Sequence, residues 1–392
     1  MSGAGVPELD LDLYADDVLA DSRDVFARIR EAGPVVWLPR HRMYAMGRFD
    51  DVRAALRDDE LFLSGAGVAA NPVTNRLSRG TTLNSDSEEH ARRRRVLMRS
   101  LGAKALASVK APLATAADDL VERLLARGGE FDAAVDFARH LPVAVVSELV
   151  GIRPDSEQML RWAASTFDAL GPINRRGVRS MRHALGLLVY SLRLRSSSVA
   201  PGSWAASVFD AQRAGELSRR EVPGLIIDFV APSLDTTILA ATYTLWVLGN
   251  EPEAWAQIRC DPARIPAAVM ETVRLSSPIR GFTRTLARDH EVDGHRIPRG
   301  RRIAILFGAA NLDETQFPQP HRFRLDRENA AHLGWGHGSH ACVGMLLAKL
   351  ELRMLLDAMA PRVEAIRVGA PTPLRNNTLQ GIARLPTSFT AA

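Results

Sequence analysis

Over most of this chain apolar residues recur every three or four positions, and only in a few short runs do they alternate, which predicts many helices and little sheet. Helical periodicity covers residues 24–31, 50–57, 104–127, 137–150, 156–170 and 175–194, punctuated by Gly33-Pro34, Gly128-Gly129 and Pro172. The longest such stretch, residues 217–249, is interrupted by Ala231-Pro232-Ser233-Leu234-Asp235-Thr236-Thr237. Pro232 cannot donate an N–H and crowds the carbonyl of Asp228, so this helix is expected to open locally. A further apolar helix is predicted over 343–360. Strand-like runs at 35–38, 43–46, 276–284, 291–297 and 302–307 are expected to build one small sheet, and residues 376–381 a terminal hairpin reaching toward a pocket. Residues 64–85, rich in glycine, serine, asparagine and proline, read as a long loop of the kind that carries function inside a compact domain. No repeat period is present. The fold class implied is mainly α with a small β region.

Composition narrows the picture. With 46% apolar residues among 392, the chain can bury a large core, and nothing in it is of low complexity. The first 24 residues are acidic rather than signal-like and no run of eighteen apolar residues occurs, so the expectation is a soluble cytoplasmic protein with no membrane partner. Two cysteines, Cys260 and Cys342, make no disulfide framework, and Cys260 reads as an incidental thiol. The net charge of +5 rests almost wholly on arginine, the lysines being Lys104, Lys110 and Lys349. That balance suits an acidic protein partner or nucleic acid equally. Against nucleic acid, the arginine-rich segment at 92–95 has no interleaved aromatic residues for base stacking.

Candidate chemistry gathers around Gly334-Trp335-Gly336-His337-Gly338-Ser339-His340-Ala341-Cys342-Val343-Gly344. Cys342 ends a glycine-rich loop just before an apolar helix, where the helix dipole and free N–H groups are expected to lower a thiol's pKa. Glycines let the backbone approach something flat and large. A lone thiolate suits haem iron better than zinc, which takes four protein ligands in structural sites. The plainer alternative is a tight turn around a buried structural cysteine. Upstream, His90 and Arg94 share a helix face and can grip one anion, unless this is simply a solvated arginine helix. Glu271 and Arg274 are spaced for an internal ion pair. Arg280, Phe282 and Arg284 share strand parity and can line a pocket, Arg280 binding a substrate anion or pairing within the protein.

The spacing G-x-G-x-H-x-C-x-G, filled by Gly336, Gly338, His340, Cys342 and Gly344, resembles the haem-binding loop of the cytochrome P-450 family, with Trp335 where phenylalanine is usual. His90 and Arg94 as H-x-x-x-R, Asp235-Thr236 after the kink, Glu271 and Arg274 as E-x-x-R, and Arg284 follow the family's order, so the resemblance spans nearly the whole chain. Ser233 stands where the family usually has glycine. The resemblance implies a single cytochrome P-450 domain over 1–392 enclosing one haem b (iron protoporphyrin IX). Cys342 would be the axial metal ligand, and His90, Arg94, Arg284 and His340 would pair the haem propionates. Asp235 and Thr236 would deliver protons, and Arg280, Phe282 and Ser233 would be candidates to touch substrate. It further implies a monooxygenase that hydroxylates or oxidatively dealkylates a small organic, possibly aromatic, molecule. Loop 68–83 is similar to loops of bacterial members acting on aromatic acids and aryl ethers; tailoring of an aromatic natural product is the alternative. With no flavin or iron–sulfur segment in the chain, electrons from NAD(P)H are expected to arrive through a ferredoxin and its reductase. The arginines around 92–99 with Lys104 would form a basic face for that donor. A peroxide-using or isomerising haem–thiolate protein is the other enzymatic reading.

Overall fold

Breaks in the apolar period fix where the helices end. The computed structural model describes residues 5–327 and 331–392. Its helices include Ser87–Leu101, Lys110–Arg127, Ser156–Leu170, Arg175–Arg193, Ile265–Ser276 and Met345–Met359. The stretch predicted to kink does so: Val222–Val230 and Asp235–Asn250 are separate helices flanking the Pro232 turn. Asp235–Asn250 is buried on nearly all sides and packs against Ile265–Ser276, Met345–Met359 and the strand Val363–Val368. Its Thr242 and Thr244 hydroxyls donate back to the carbonyls of Ile238 (2.8 Å) and Ala240 (2.9 Å), which is how two polar groups enter this core satisfied. Although Val222–Asn250 is long and apolar enough to cross a bilayer, 67% of its apolar window is buried inside the fold.

The principal sheet has five strands in the order Val36–Leu38, Met43–Met46, Arg302–Ile305, Phe282–Leu286, Phe62–Leu63. Met43–Met46 runs parallel to Arg302–Ile305, with Tyr44 opposite Ile303, and the other pairs are antiparallel. The run at 291–297 does not join this sheet. It folds on itself as His290–Val292 and His295–Ile297, because Asp293-Gly294, both at positive φ, form a two-residue hairpin turn. A third sheet pairs Pro386–Ala391 with Phe131–Asp132 and Val363–Val368. The predicted terminal hairpin is present: Thr372–Pro373 pairs with Ile382–Arg384, and in its connection Leu379 bridges Ile279, in the segment leading into the strand Phe282–Leu286.

Within the loop read at 64–85 lies a short helix, Pro72–Leu77. Asn71 caps it, accepting from the Thr74 N–H at 2.8 Å, and Pro72 occupies its first turn. The Asn71 amide also donates to the carbonyls of Ala169 and Gly171, tying this segment to the end of Ser156–Leu170. The helices Trp204–Arg213 and Pro252–Cys260 were not among the sequence expectations, nor were the short Asp16–Ala20 and Phe307–Ala310.

Candidate active site

A cavity of about 260 Å³ lies beside the Pro232 turn, lined mainly by apolar side chains that include Val68, Leu83, Phe167, Leu170, Ile279 and Phe282. Cys342 reaches it from the glycine-rich loop. Its side chain sits deep in the molecule yet opens onto this cavity. The loop is shaped by the Cys342 N–H, which donates to the Trp335 carbonyl at 2.8 Å, and by the left-handed φ of +70° at Gly338. A Cβ at Gly338 would lie 2.2 Å from the Leu56 carbonyl oxygen, so only glycine lets the loop rest on helix Phe49–Arg57. Ser339 adds a 2.5 Å hydrogen bond to Asp59.

The expected low pKa of this thiol is not found in the chain by itself. Burial pushes the Cys342 thiol up, against the Gly344 N–H, Arg94 and the Met345 N–H, which pull it down. Desolvation of the deeply placed sulfur outweighs these three favourable contacts.

Four predicted residues converge along one rim. The His90 and His340 rings stack with centroids 3.9 Å apart, and Arg94 donates to the Ala341 carbonyl at 2.6 Å. Among the described residues, buried Arg284 donates only to the neighbouring Thr283 carbonyl, at 2.9 Å. Neither guanidinium has an ion-pair partner among the described residues. Burial first, then Arg284, His90 and Arg94, push His340 down to about 2, and its buried Nε2 has no hydrogen-bond partner. Burial and Arg94 lower His90 as well. The two imidazoles are therefore neutral at pH 7 and present nitrogen donors, while the arginines alone carry the charge.

At the Pro232 turn, Ser233, Thr236 and Thr237 line the cavity, and the Thr236 hydroxyl donates to the Pro232 carbonyl at 3.0 Å. Asp235 does not line it. Its carboxyl is turned into the protein, with one oxygen unpartnered, and burial raises it to about 7.

Residues 265–364 match the family described as Cytochrome P450. The chain is 34% identical over 396 residues to cytochrome P450 CYP199A2 of Rhodopseudomonas palustris, the alignment covering all of this chain and 96% of that one. It belongs to the cytochrome P450 family. Linalool 8-monooxygenase of Pseudomonas putida is 27% identical, over 95% of this chain and 96% of its own. Mycobacterium marinum cytochrome P450 CYP268A2, solved in complex with pseudoionone, superposes with a TM-score of 0.87 at 25% identity, covering 98% of this chain and 99% of that one. The protein is thus a cytochrome P450 monooxygenase with the P450 fold, an oxidoreductase whose family carries haem.

The residues of this P450 fit that group. A thiol opens into a cavity whose rim bears two unpaired guanidiniums and an orphaned imidazole nitrogen, a donor set suited to a metal and to carboxylates on one large planar molecule.

Two sequence expectations are changed by the geometry. Arg280 faces away from the main cavity: its Nη1 donates to the Leu13 carbonyl at 2.8 Å and its guanidinium lies 5.7 Å from the Phe26 ring centre. Phe282 and Arg284 do line the main cavity, because regular strand geometry begins only at Phe282. The basic face expected around 92–99 is largely neutralised from within. Arg92 pairs with Glu221 at 2.7 Å, Arg93 with Glu221 at 2.9 Å and also with Glu89, and Arg99 with Glu216 at 2.6 Å.

Two acidic residues on the cavity escaped sequence reasoning. Asp228, on Val222–Val230, accepts from the Thr82 N–H at 2.7 Å. Glu351, in the middle of Met345–Met359, is 1% exposed with one oxygen unpartnered, and burial raises it to about 8. A glutamate between two leucines in an apolar helix was a signal available in the sequence.

Proposed function

We propose that this P450 inserts one atom of dioxygen into a C–H bond of a small, largely apolar substrate, with hydroxylation or oxidative dealkylation as the outcome. The observation that carries the reading is that the Cys342 sulfur and the Thr236 hydroxyl open onto the same apolar cavity. Haem b, when bound, supplies the dioxygen activation and the oxidising power that no side chain has. Cys342 would hold the iron, and Arg94, Arg284, His90 and His340 would hold the propionates, relieving the two unpaired charges and the orphan nitrogen at the rim.

The remaining work falls to the chain. Val68, Phe167, Leu170 and Phe282 exclude water and orient an apolar substrate. Thr236 Oγ1, whose proton is given to the Pro232 carbonyl, presents an acceptor to the cavity that can hold a proton-bearing partner there, and Ser233 provides a second hydroxyl on the same wall. Asp235, near neutrality at about 7, holds or releases a proton behind them at working pH. Electrons from NAD(P)H arrive through a ferredoxin and its reductase. Support for an acidic donor lies on helix Phe49–Arg57, where Arg53 and Arg57 are exposed, four residues apart and without ion-pair partners among the described residues, on the element that cradles the cysteine loop. The single domain over 1–392 is part of this reading.

Cys342→Ala tests it. The reduced, carbon monoxide-bound protein should lose its thiolate spectrum and its NADH-driven product formation, and a surviving thiolate spectrum overturns the assignment. Turnover with peroxide alone and none with ferredoxin would favour the peroxide-using alternative.

A further inference from the structure

Outside the rim cluster, the cavity has few polar features, and one of them bears a charge with no charge opposite it. Asp228 lies seven residues before Asp235, on the helix preceding the Pro232 turn. One carboxylate oxygen accepts from the Thr82 N–H at 2.7 Å, the Thr82 hydroxyl also favours the ionised form, and among the described residues no residue but Thr82 donates to the group. Arg93, the cation that acts on it, is already engaged by Glu221 at 2.9 Å, by Glu89 and by the Thr81 carbonyl at 3.0 Å. Asp228 is only partly covered, and what it is open to is the cavity.

Its setting is rigid. One turn earlier, a Cβ at Gly224 would lie 2.3 Å from the Gly80 carbonyl oxygen, so the helix and the loop carrying Thr82 meet backbone to backbone. Burial raises Asp228 to about 6, which still leaves it ionised at neutral pH. A clamp on Thr82 alone would need one neutral acceptor, and an asparagine would serve. A carboxylate has acceptor capacity for several donors, and keeping its charge in an apolar chamber is costly unless something neutralises it.

We propose that Asp228 is the polar anchor of the substrate chamber, which therefore takes an aryl or alkyl body bearing a hydrogen-bond donor, above all a protonated amine, and rejects carboxylic acids. This rests on the monooxygenase reading for the use made of the chamber. It runs against the aromatic-acid substrates that the loop at 68–83 suggested, because a substrate carboxylate would meet a like charge there.

The test is calorimetric binding to the haem-loaded enzyme of four ligands of one shape: 4-methoxybenzylamine, 4-methoxybenzyl alcohol, 4-methylanisole and 4-methoxybenzoate. The amine should bind at least about tenfold more tightly than the benzoate, the change that one charge-assisted hydrogen bond produces. In Asp228→Asn, which keeps an acceptor for Thr82, that ratio should collapse toward unity. Equal affinities in the unmodified enzyme overturn the proposal, as does a ratio unchanged in Asp228→Asn; the latter with a red-shifted Soret band would trace the preference to amine coordination of iron. Product formation is scored separately. Ferredoxin-driven product without amine preference removes the role of Asp228 and keeps the monooxygenase, whereas amine preference without product does the reverse.

Discussion

Replacing Glu271 by glutamine should loosen the whole approach to the cysteine loop. The Glu271 carboxylate is 3% exposed and accepts from Arg274 Nε at 2.8 Å and Nη2 at 2.7 Å, and from Arg327 Nε at 2.9 and 3.0 Å. One carboxylate thus compensates two guanidiniums, both of which also lie over the Phe317 ring. Arg274, with no solvent exposure, carries the consequence onward by donating to the carbonyls of Asn311 (2.7 Å) and Pro320 (2.8 Å). Asn311 in turn accepts from the Leu333 N–H at 2.7 Å, just before the loop begins. Glutamine keeps the shape and one acceptor but removes the charge. Stripping one partner from a buried pair costs about 3–5 kcal/mol, a large part of a domain's total of about 5–15 kcal/mol. Urea unfolding of the haem-loaded protein, followed by far-UV circular dichroism and by the Soret band, should show both transitions moving to lower urea, with haem released first. The double variant Glu271→Leu/Arg274→Met, which removes both charges, should lose less than the two single changes summed. A loss below about 1 kcal/mol in Glu271→Gln, with an additive double variant, would refute the compensation argument.

Thr236→Ala should leave the fold intact but uncouple NADH consumption from product and release peroxide; unchanged coupling would move proton delivery to Ser233 or Thr237, which share the cavity wall. Asp235 is raised from 3.8 to about 7, so the folded protein binds more protons than the unfolded chain across that window, and stability contributed by the neutral carboxyl is lost as pH rises through it. The full shift corresponds to about 4 kcal/mol as an upper bound, and Asp235→Asn should flatten the fall in melting temperature between pH 4 and 7. Identical slopes in the two proteins would refute the buried-acid assignment. Gly338→Ala should dislodge the loop from Leu56 and lower haem retention on gel filtration, and full retention would show that the close approach is dispensable.

What the sequence made legible was local. His90 with Arg94, Glu271 with Arg274 and the glycine pattern before Cys342 are readable because helix pitch and backbone freedom act over a few residues. Asn71-Pro72 was equally local, a cap followed by a first-turn proline, and deserved to be read as a helix inside the long loop. Relations across a break were hidden. In an unbroken helix Asp228 and Asp235, seven apart, would share a face. The opening at Pro232 rotates one against the other, so Asp228 lines the cavity and Asp235 is turned behind it. Arg280 was misdirected for a related reason, since strand parity was extended backward through Gly281, where a Cβ would lie 2.2 Å from the Ile305 carbonyl oxygen and the regular strand has not begun. The thiol's raised pKa depends on how deeply the sulfur is placed, a property of the finished chamber.

The parallel pairing of Met43–Met46 with Arg302–Ile305 also sets an order of events during synthesis. The earlier strand leaves the ribosome roughly 260 residues before its partner, a wait of tens of seconds at ordinary elongation rates of about 5–20 residues per second. Throughout that interval the first hairpin of the main sheet has an unpaired edge, and the chamber lacks its cysteine loop. Cofactor capture is therefore a late event that follows the meeting of the two ends of the chain, and a nascent chain arrested before residue 302 should expose this edge to chaperones while holding no haem.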